Sequence, residues 1–488
     1  MENYNSLTWL LTLPLTAMVI SWLIPKAVQR LYAIFASIAI FAVTVYQSAP
    51  LIFTKSGAEA AGMAIEQKLS WIPDLGMNLA LKLDSTSIWF VLLNALTAVV
   101  VFSLRGNWYR KYPRVFTSLG FFLVFALNAA FLSTDLVVFY LAYEAVFIPM
   151  IFMVGIWGEN QKAAAVFRFF LMSFLGSILM LVSIFYLVFL YHSQTGSYSS
   201  NLEDLLKITH SDEHAFRYVF LGFFFAFALK VPLVPFHGWL KEVYVNSPMP
   251  GTIWLSAVLS KLGVFGFIRF VIPLFPEWAL AYQGWLVTLS AITVLYAALL
   301  AIRANNPKEL LAYSSISHLG FVMLGVFSLK TAGTTSAILL SVGHGVVSAM
   351  LFYLLHQLDE RRSELGLEKP HGLAKVYPTL FVALFVGVLA SVSLPGTLNF
   401  CGEFLVLMNA YPVSVLCTIL SGVGVIFGAV YMLKFYQQLG FGKTALELQT
   451  PSSSSLKDLG GYDLVLLVCM IGILIYGGFQ PAIFLKGF

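Results

Sequence analysis

Six ionisable side chains lie inside long apolar segments of the sequence, where they could pass protons between buried sites. They are Glu144, Lys230, Lys261, His318, His344 and Glu403. A charge that faces lipid is costly, so each charged group needs a buried partner or a path to water. Burial disfavours the charged form of a lysine, whereas a nearby carboxylate favours that form. A neutral histidine can both donate and accept a hydrogen bond. We therefore predict a lateral proton relay made of these six residues, and this chemistry needs no metal.

Structural interpretations of the same residues stay open at this stage. A pair between Glu144 and a lysine could simply lock helices together, and many buried histidines only satisfy a hydrogen-bond partner. Arg269, near the end of a predicted helix, fits a side chain that snorkels toward the membrane surface. Asp135 follows Ser-Thr and precedes an apolar run, which is typical of a helix cap.

The elements that must position these residues are predicted to be membrane-spanning helices. Of the 488 residues, 59% are hydrophobic and only 10% are charged, and the mean hydropathy is +0.86. A soluble domain carries about 25% charged residues, so this composition indicates an integral membrane protein. Apolar stretches near the roughly 20 residues that a spanning helix needs recur along the chain. We predict an all-α polytopic membrane protein with about fourteen transmembrane helices. The approximate spans are 6–24, 29–49, 84–104, 113–132, 134–156, 164–192, 215–237, 247–271, 280–302, 308–328, 333–357, 377–409, 411–436 and 462–480.

One predicted helix is interrupted directly after an ionisable residue. Pro232 and Pro235 follow Lys230. Proline lacks a backbone N–H and disrupts a continuing helix, so we expect the carbonyls of Ala228 and Val231 to be freed near the ammonium group. A broken helix beside a buried charge is typical of a transport site.

A second interruption occurs at Pro395 and Gly396, shortly before Glu403. Predicted helices four to eight and nine to thirteen then form two five-helix units, each with a broken fourth member, which is the pattern of inverted repeats in transporters. The predicted domains are three N-terminal helices with an outer loop (1–112), a first antiporter-like repeat (113–272), a second antiporter-like repeat (273–440), and a linker with the final helix (441–488). The linker includes the polar segment 451–455.

Charge and motif patterns exclude several classes of function. Lys and Arg are concentrated in the loops after odd-numbered predicted helices, which places those loops on the inner side and both termini on the outer side. The sequence has no basic stripe of the kind that binds nucleic acid. Cys401, Cys417 and Cys469 lack CxxC spacing, and neither a GxGxxG nor a Walker motif occurs. We predict no cofactor and no metal in this chain, with energy supplied from elsewhere.

Five motifs, in their order and spacing, resemble the antiporter-like subunits of respiratory complex I over about residues 84–440. They are Phe139–Glu144, Lys230–Leu240, Leu259–Phe270, Ala312–Val322 and Gly343–Phe352. In that family the second broken helix usually carries lysine, whereas the chain 4 or subunit M type carries glutamate in a Pro-Gly-Thr-x-Asn-Phe-x-Gly-Glu setting. Glu403 stands in that setting, so the chain most resembles the subunit M type of NADH:quinone oxidoreductase.

The resemblance implies a role for each relay residue. Glu144 would modulate Lys230, Lys261 would be the connecting lysine, His318 and His344 would continue the central axis, and Glu403 would be a terminal site linked to one surface. One loop departs from the family: in residues 240–252 Tyr244 replaces the usual histidine and Pro250 is additional. The family's properties are therefore not carried over to that loop.

The resemblance also implies an assembly and a location. We expect a proton-translocating membrane-arm subunit, driven by electron transfer from NADH to quinone in other subunits that hold FMN, iron–sulfur clusters and quinone. The expected partners are other membrane-arm subunits, especially neighbouring antiporter-like ones, and lipids, but no nucleic acid. The expected location is an energy-coupling membrane, namely the mitochondrial inner, bacterial plasma or thylakoid membrane.

Three other functions remain compatible with the residues. A subunit of a multisubunit sodium/proton antiporter would share Lys230 but is expected to carry lysine where Glu403 stands. A membrane-bound hydrogenase subunit is a second alternative. In a purely structural assembly subunit with fixed ion pairs, neutralising Lys230 would weaken assembly and leave proton pumping intact.

Overall fold

The computed structural model describes residues 6–53, 64–106, 109, 111–159, 161–209, 213–361, 365–442 and 458–485. The polar linker segment 451–455 lies outside the described residues. The described chain is mostly helical and forms two compact units. The first unit comprises Met1–Gly251, Val258–Gln283 and Ile483–Phe488, and the second comprises Thr252–Ala257 and Gly284–Ala482.

The first part of the chain runs through fourteen short or long helices and one β-hairpin among the described residues. They are α1 Ser6–Leu23, α2 Gln29–Phe53, β1 Ile65–Ile72, β2 Met77–Leu83, α3 Ser87–Ser103, α4 Pro113–Leu132, α5 Leu136–Ala145, α6 Phe147–Trp157, α7 Lys162–Thr195, α8 Leu202–Leu205, α9 Glu213–Lys230, α10 Gly238–Asn246, α11 Met249–Trp254, α12 Ser260–Gly266, α13 Ile272–Leu274 and α14 Pro276–Ala281. π-Helical turns at Leu255–Leu259 and Phe267–Val271 join α11, α12 and α13 into one continuous span, Met249–Leu274.

The rest of the chain is helical throughout its described part. The helices are α15 Gln283–Arg303, α16 Pro307–Val326, α17 Thr331–Arg361, α18 Pro378–Ser391, α19 Leu398–Ala410, α20 Val415–Gly440, α21 Gly461–Phe479 and α22 Ala482–Leu485. Helix α17 is the most enclosed of the long helices, because every residue of its most apolar window is buried.

Ten helices in the described ranges are long and apolar enough to cross a membrane. Apolar helices of 10–17 residues occur at Leu7–Leu23, Ser87–Ser103, Pro378–Ser391 and Leu398–Ala410. The prediction of an integral membrane protein agrees with this architecture, and the count of fourteen spans stays a prediction. The two shortest of these helices arise because the predicted span 377–409 is divided at its proline and glycine.

The expectation of a purely α-helical chain is wrong for the connector after α2. Strands β1 and β2 form an antiparallel hairpin in which Ile65 pairs with Leu83. The chain turns through Pro73–Leu75 to Gly76, which has a φ of 64°. A Cβ atom at Gly76 would lie 1.9 Å from the Tyr198 carbonyl oxygen, so only glycine fits there. Alternating apolar and polar residues favour a half-buried strand, whereas the sequence analysis predicts only an outer loop within residues 1–112.

Aromatic rings pack together and hold several helices of the first unit in place. The rings of Phe90, Phe131 and Phe265 pack with centroids 5.3 to 5.8 Å apart, and Phe139 approaches Phe265 at 6.4 Å. Aromatic pairs at these distances contribute about 0.5–1.5 kcal/mol beyond their buried area. They tie α3, α4, α5 and α12 into one core.

Helix α9 ends at Lys230, as the prolines predict, but the carbonyls nearby are not all free. The Val231 amide donates to the Phe227 carbonyl at 2.8 Å, and the Leu233 amide donates to the Ala228 carbonyl at 3.0 Å. The expectation that the Ala228 carbonyl would be released toward the lysine is therefore wrong, because the chain tightens after the helix and reuses that acceptor. Helix α10 starts at Gly238, after the irregular segment.

The second interruption separates α18 from α19 and contains two residues with positive φ. Ser393 has a φ of 57° and Gly396 a φ of 94°. Helix α21 lies against this break, because a Cβ at Gly478 would be 2.2 Å from the Gly396 carbonyl oxygen. The break thus needs glycine both within it and on the helix that covers it.

Candidate functional site

Lys230 occupies an aromatic cage within the first unit. Only 2% of the residue is exposed, and its Nζ lies 3.7 Å from the ring centroid of Phe147, 4.8 Å from that of Tyr143 and 5.8 Å from that of Phe169. Nζ has no hydrogen-bond partner among the described residues. An ammonium over aromatic faces gains about 2 kcal/mol when the site is desolvated. The cage therefore stabilises a charged lysine without immobilising its proton in a hydrogen bond.

Glu144 is the acidic neighbour of this lysine and is the penultimate residue of α5. Its carboxylate interacts electrostatically with Lys230 and accepts a hydrogen bond from the Ser177 side chain. Its Oε1 atom is buried and accepts no hydrogen bond within the described part of the chain. The structure thus places Glu144 and Lys230 in one site, where they interact through space rather than through a direct hydrogen bond.

Lys261 is fully buried on α12, between two π-helical turns. Two glycines allow this helix to approach α9 closely. A Cβ at Gly263 would lie 2.7 Å from a Val231 methyl group, and a Cβ at Gly266 would lie 2.4 Å from the Phe227 ring. The helix that carries Lys261 therefore packs closely against the helix that ends at Lys230.

His318 and Glu403 form a direct buried pair within the second unit. His318 Nδ1 and Glu403 Oε1 are 2.9 Å apart, and the two residues are 6% and 4% exposed. At that distance one proton can be donated by the imidazole to the carboxylate, or by the carboxyl group to the imidazole. The hydrogen bond between His318 on α16 and Glu403 on α19 therefore allows a proton to move from one side chain to the other.

His344 extends this pair along α17. Its ring centroid lies 4.9 Å from that of His318. Close approach of α19 to α17 depends on Gly343, where a Cβ would lie 2.3 Å from the Asn399 side-chain oxygen. The six predicted relay residues therefore fall into two sets: Glu144, Lys230 and Lys261 in the first unit, and His318, His344 and Glu403 in the second.

Arg269 is not the snorkelling side chain that sequence reasoning favoured. Its Nη1 and Nη2 atoms donate to the two carboxylate oxygens of Asp84 at 2.6 and 2.7 Å, and both side chains are largely buried. Burial raises the pKa of Asp84, but the Arg269 charge and its hydrogen bonds outweigh that effect and lower the pKa to about 2. The partner lies 185 positions away, so no local pattern could identify it.

Asp135 caps α5, as its sequence context predicts. Its Oδ1 accepts hydrogen bonds from the Val137 and Val138 amides at 3.0 and 3.1 Å. Its Oδ2 accepts from the Ser200 hydroxyl at 2.7 Å. The cap fixes the start of the helix whose last turn carries Glu144.

Two further features of the site escaped sequence reasoning. One is the cage around Lys230, whose rings come from helices α5, α6 and α7. The other is a buried Asp463, which accepts a hydrogen bond from the Tyr353 hydroxyl at 2.5 Å. A Tyr143 and Phe147 pair four residues apart around Glu144 was the available signal for the cage, since such residues share one helix face.

The described residues contain no group of three or more His, Cys, Asp or Glu side chains that could hold a metal ion. Cys401, Cys417 and Cys469 are free thiols. The chemistry that these two sets of residues offer is proton exchange between nitrogen and oxygen atoms inside an apolar protein.

Comparison with known sequences shows which family this chain resembles in sequence. The sequence profile of the family described as NADH:quinone oxidoreductase/Mrp antiporter, TM, matches residues 133–430. NADH-quinone oxidoreductase subunit M of Rickettsia conorii is 32% identical over 468 residues, which are 95% of this chain and 92% of that protein. NADH-ubiquinone oxidoreductase chain 4 of Arabidopsis thaliana is 32% identical over 485 residues, which are 99% of this chain and 95% of that protein.

A solved structure has a similar backbone. A chain of respiratory complex I from Thermus thermophilus with bound NADH superposes with a TM-score of 0.85 and is 32% identical. The match covers 99% of this chain and 97% of that one. The similarity in sequence and in backbone therefore extends over almost the full length of both chains.

Proposed function

The chain belongs to the family of NADH:quinone oxidoreductase and Mrp antiporter transmembrane subunits, and we propose from this that it moves protons within the membrane arm of a complex I type enzyme. The resemblance drawn from five motifs is confirmed by this membership. The chain is an integral membrane subunit, and its relatives belong to bacterial and mitochondrial NADH:quinone oxidoreductases. The family description covers antiporters as well, whereas the relatives at 32% identity are named as oxidoreductase subunits.

The observation that carries the proposal is the caged Lys230 beside Glu144. A buried lysine with a hydrogen-bonded partner would be a fixed structural charge, whereas this Nζ lies against aromatic rings, has no hydrogen-bond partner in the described structure, and interacts with the Glu144 carboxylate only electrostatically. Small changes in the Glu144 charge or in hydration then decide whether Lys230 keeps its proton. Such a residue is suited to loading and releasing a proton in response to a signal.

The second set of residues supplies a receiving site. The proposal is that a proton passes from Lys230 through Lys261 to the histidines and is held between His318 and Glu403, 2.9 Å apart. Glu403 is then the terminal group that exchanges the proton with one membrane surface. All transfers are between nitrogen, oxygen and water, so no step requires a metal or a redox group in this chain.

The proposed architecture has fourteen transmembrane segments in two inverted five-helix repeats, with domain limits at 112, 272 and 440. It is supported by the two broken helices, one at Lys230 and one between Ser391 and Leu398. It is also supported by the short apolar helices, if Pro378–Ser391 and Leu398–Ala410 are two halves of one span.

The proposed energy source lies in other subunits. FMN, iron–sulfur clusters and quinone would be held there, and neighbouring antiporter-like subunits and lipids would surround this chain in the membrane arm. Redox energy reaching the arm must bias the protonation of the buried residues, because moving one charge across 100 mV costs about 2.3 kcal/mol. The chain itself transfers no electrons in this proposal.

The test is gentle solubilisation of the native membrane and affinity capture of the tagged chain. Mass spectrometry and an NADH:quinone activity assay then identify what is captured with it, and a tagged unrelated protein of the same membrane serves as the control. The proposal predicts flavin and iron–sulfur subunits together with activity. Capture of small antiporter subunits without redox activity would instead support a sodium/proton antiporter.

A further inference from the structure

Two small cavities lie in the second unit, one lined by His318 and Glu403 and the other by His344. Each has a volume of about 10 Å³, which is the space that one water molecule needs. The first, here named the glutamate cavity, has among its polar lining residues Ser317, His318, Ser391, Glu403 and Tyr431. The second, here named the serine cavity, has among its polar lining residues Ser314, Ser315, His344, Ser348 and Ser391.

His318, which lines the glutamate cavity, has a ring nitrogen suited to a water molecule. His318 is 6% exposed, and its Nε2 has no hydrogen-bond partner in the described ranges, while its Nδ1 faces Glu403. A buried polar atom without a partner is costly, and water in a polar cavity commonly satisfies it. Water in this cavity would stand next to the atoms that exchange the proton.

Two hydroxyl bridges join the cavities. Ser391, the last residue of α18 before the helix break, lines both of them and is 4% exposed. Tyr431 lines the glutamate cavity, and its hydroxyl donates to the Ser314 hydroxyl of the serine cavity at 3.1 Å. A hydroxyl both donates and accepts, so each bridge can pass a proton between the two spaces.

The serine cavity also lies one helical turn closer to one end of the bundle. On α16 the glutamate cavity uses residues 317, 318 and 321, whereas the serine cavity uses 311, 314 and 315. On α17 the serine cavity extends from His344 to Phe352, toward Arg361. Lys308 and Arg361 stand at that end, and basic residues mark the inner side of a membrane protein.

We propose that Ser391 and the Tyr431–Ser314 pair are relay residues that carry protons from the inner side, through water in the serine cavity, to the His318–Glu403 pair. In one transfer the Ser391 oxygen accepts the excess proton from a protonated water in the serine cavity, which is left as neutral water, and releases its own proton to water in the glutamate cavity, which passes a proton to the His318–Glu403 pair. The hydroxyl ends neutral, and its rotation restores the starting arrangement. The inference rests on the proposed function, and it gives the second unit its own access to the inner side.

The test uses the whole enzyme in vesicles and measures proton uptake per quinone reduced. The single variants Ser391→Ala and Tyr431→Phe each keep one bridge and are expected to show partial losses. The double variant keeps neither, and we expect proton transfer through this chain to be about tenfold slower. A double control, Ser393→Ala in the break after α18 with Tyr436→Phe on α20, makes the same chemical changes outside both cavities and is expected to behave like the parent.

Two further comparisons separate proton relay from simple packing. Ser391→Thr keeps the hydroxyl and Ser391→Val has the same shape without it, so uptake should be higher with threonine than with valine. Equal uptake in these two variants, or parental uptake in the double variant, would overturn the relay. Glu403→Gln in the same assay distinguishes the two proposals: if it lowers uptake while the double variant does not, only the relay fails, and if it also leaves uptake unchanged, the proposed function fails.

Discussion

The two sets of buried residues hold charge in different ways. In the first unit Lys230 lies over aromatic rings, 3.7 Å from the nearest centroid, and interacts with Glu144 without a hydrogen bond. In the second unit His318 and Glu403 are in direct contact at 2.9 Å. A caged lysine can gain or lose its proton while its neighbours stay in place, whereas the His–Glu pair binds a proton between two atoms. In the proposed relay, this difference would let the first site load a proton and the second site retain it.

The first unit also contains a direct ion pair with which the Lys230 site can be compared. Asp84 and Arg269 make two short hydrogen bonds outside the Lys230 cage. We expect Asp84→Asn to destabilise the protein by about 3–5 kcal/mol, because it leaves the buried Arg269 charge uncompensated. Thermal unfolding of the solubilised protein measures this change. The control is Asp204→Asn, whose partner Lys207 is exposed to solvent, so loss of this ion pair is expected to change stability little. Similar shifts in both variants would contradict a structural role for the buried pair.

The same ion pair predicts how stability depends on pH. The pKa of Asp84 is lowered from 3.8 to about 2 in the folded protein by Arg269. A lowered carboxyl pKa stabilises the folded state above the unfolded value, and this stabilisation is lost as pH falls through the folded value. We therefore expect the parent to lose stability between these two pH values more steeply than Asp84→Asn. If the curves of stability against pH for the parent and Asp84→Asn were parallel, the ion pair would contribute nothing to stability in this pH range.

The proton-retaining site is tested by Glu403→Gln. This change keeps the shape of the side chain and a hydrogen-bonding group for His318 but removes the exchangeable carboxyl proton. We expect proton transfer through this chain to fall about 100-fold, the scale of a lost positioned acid or base. Proton uptake in vesicles is the measurement, and Glu277→Gln at an exposed position is the control. Unchanged uptake in Glu403→Gln would mean that the second site does not retain the proton.

The smallest effect is expected from the cage. Phe147→Leu removes the ring nearest to Lys230 and should weaken its charged form by about 2 kcal/mol relative to the neutral form. Uptake should fall several-fold, and Phe147→Tyr, which keeps the ring, should restore most of it. Phe170→Leu removes an exposed ring from α7 and serves as the control. If leucine and tyrosine at position 147 gave the same uptake, the ring would have no role in holding the charge.

The sequence predicts the parts of the site that depend on local chemistry. Proline after Lys230, and proline with glycine before Glu403, identify both helix breaks, and apolar surroundings identify the buried ionisable residues. The Asp135 cap is local as well and is confirmed.

The remaining features depend on contacts that are distant in sequence. The cage joins Lys230 to rings on three other helices, and Arg269 meets a carboxylate 185 positions away, so neither follows from periodicity. The hairpin β1–β2 was missed because its short alternating strands stand in a polar connector. Whether a buried pair is direct or separated, which is the difference between the two sites, follows only from side-chain positions.

The most direct test of the central claim compares Lys230→Met with Lys330→Met in the whole enzyme reconstituted into vesicles. Lys330 is exposed between α16 and α17 and is the matched control for loss of a lysine charge. Quinone reduction and proton uptake are measured together, with co-isolation of the other subunits as the check on assembly. The account predicts that Lys230→Met assembles and lowers the protons taken up per quinone reduced, while Lys330→Met keeps the parental ratio. A parental ratio in an assembled Lys230→Met enzyme would contradict proton loading at the caged lysine.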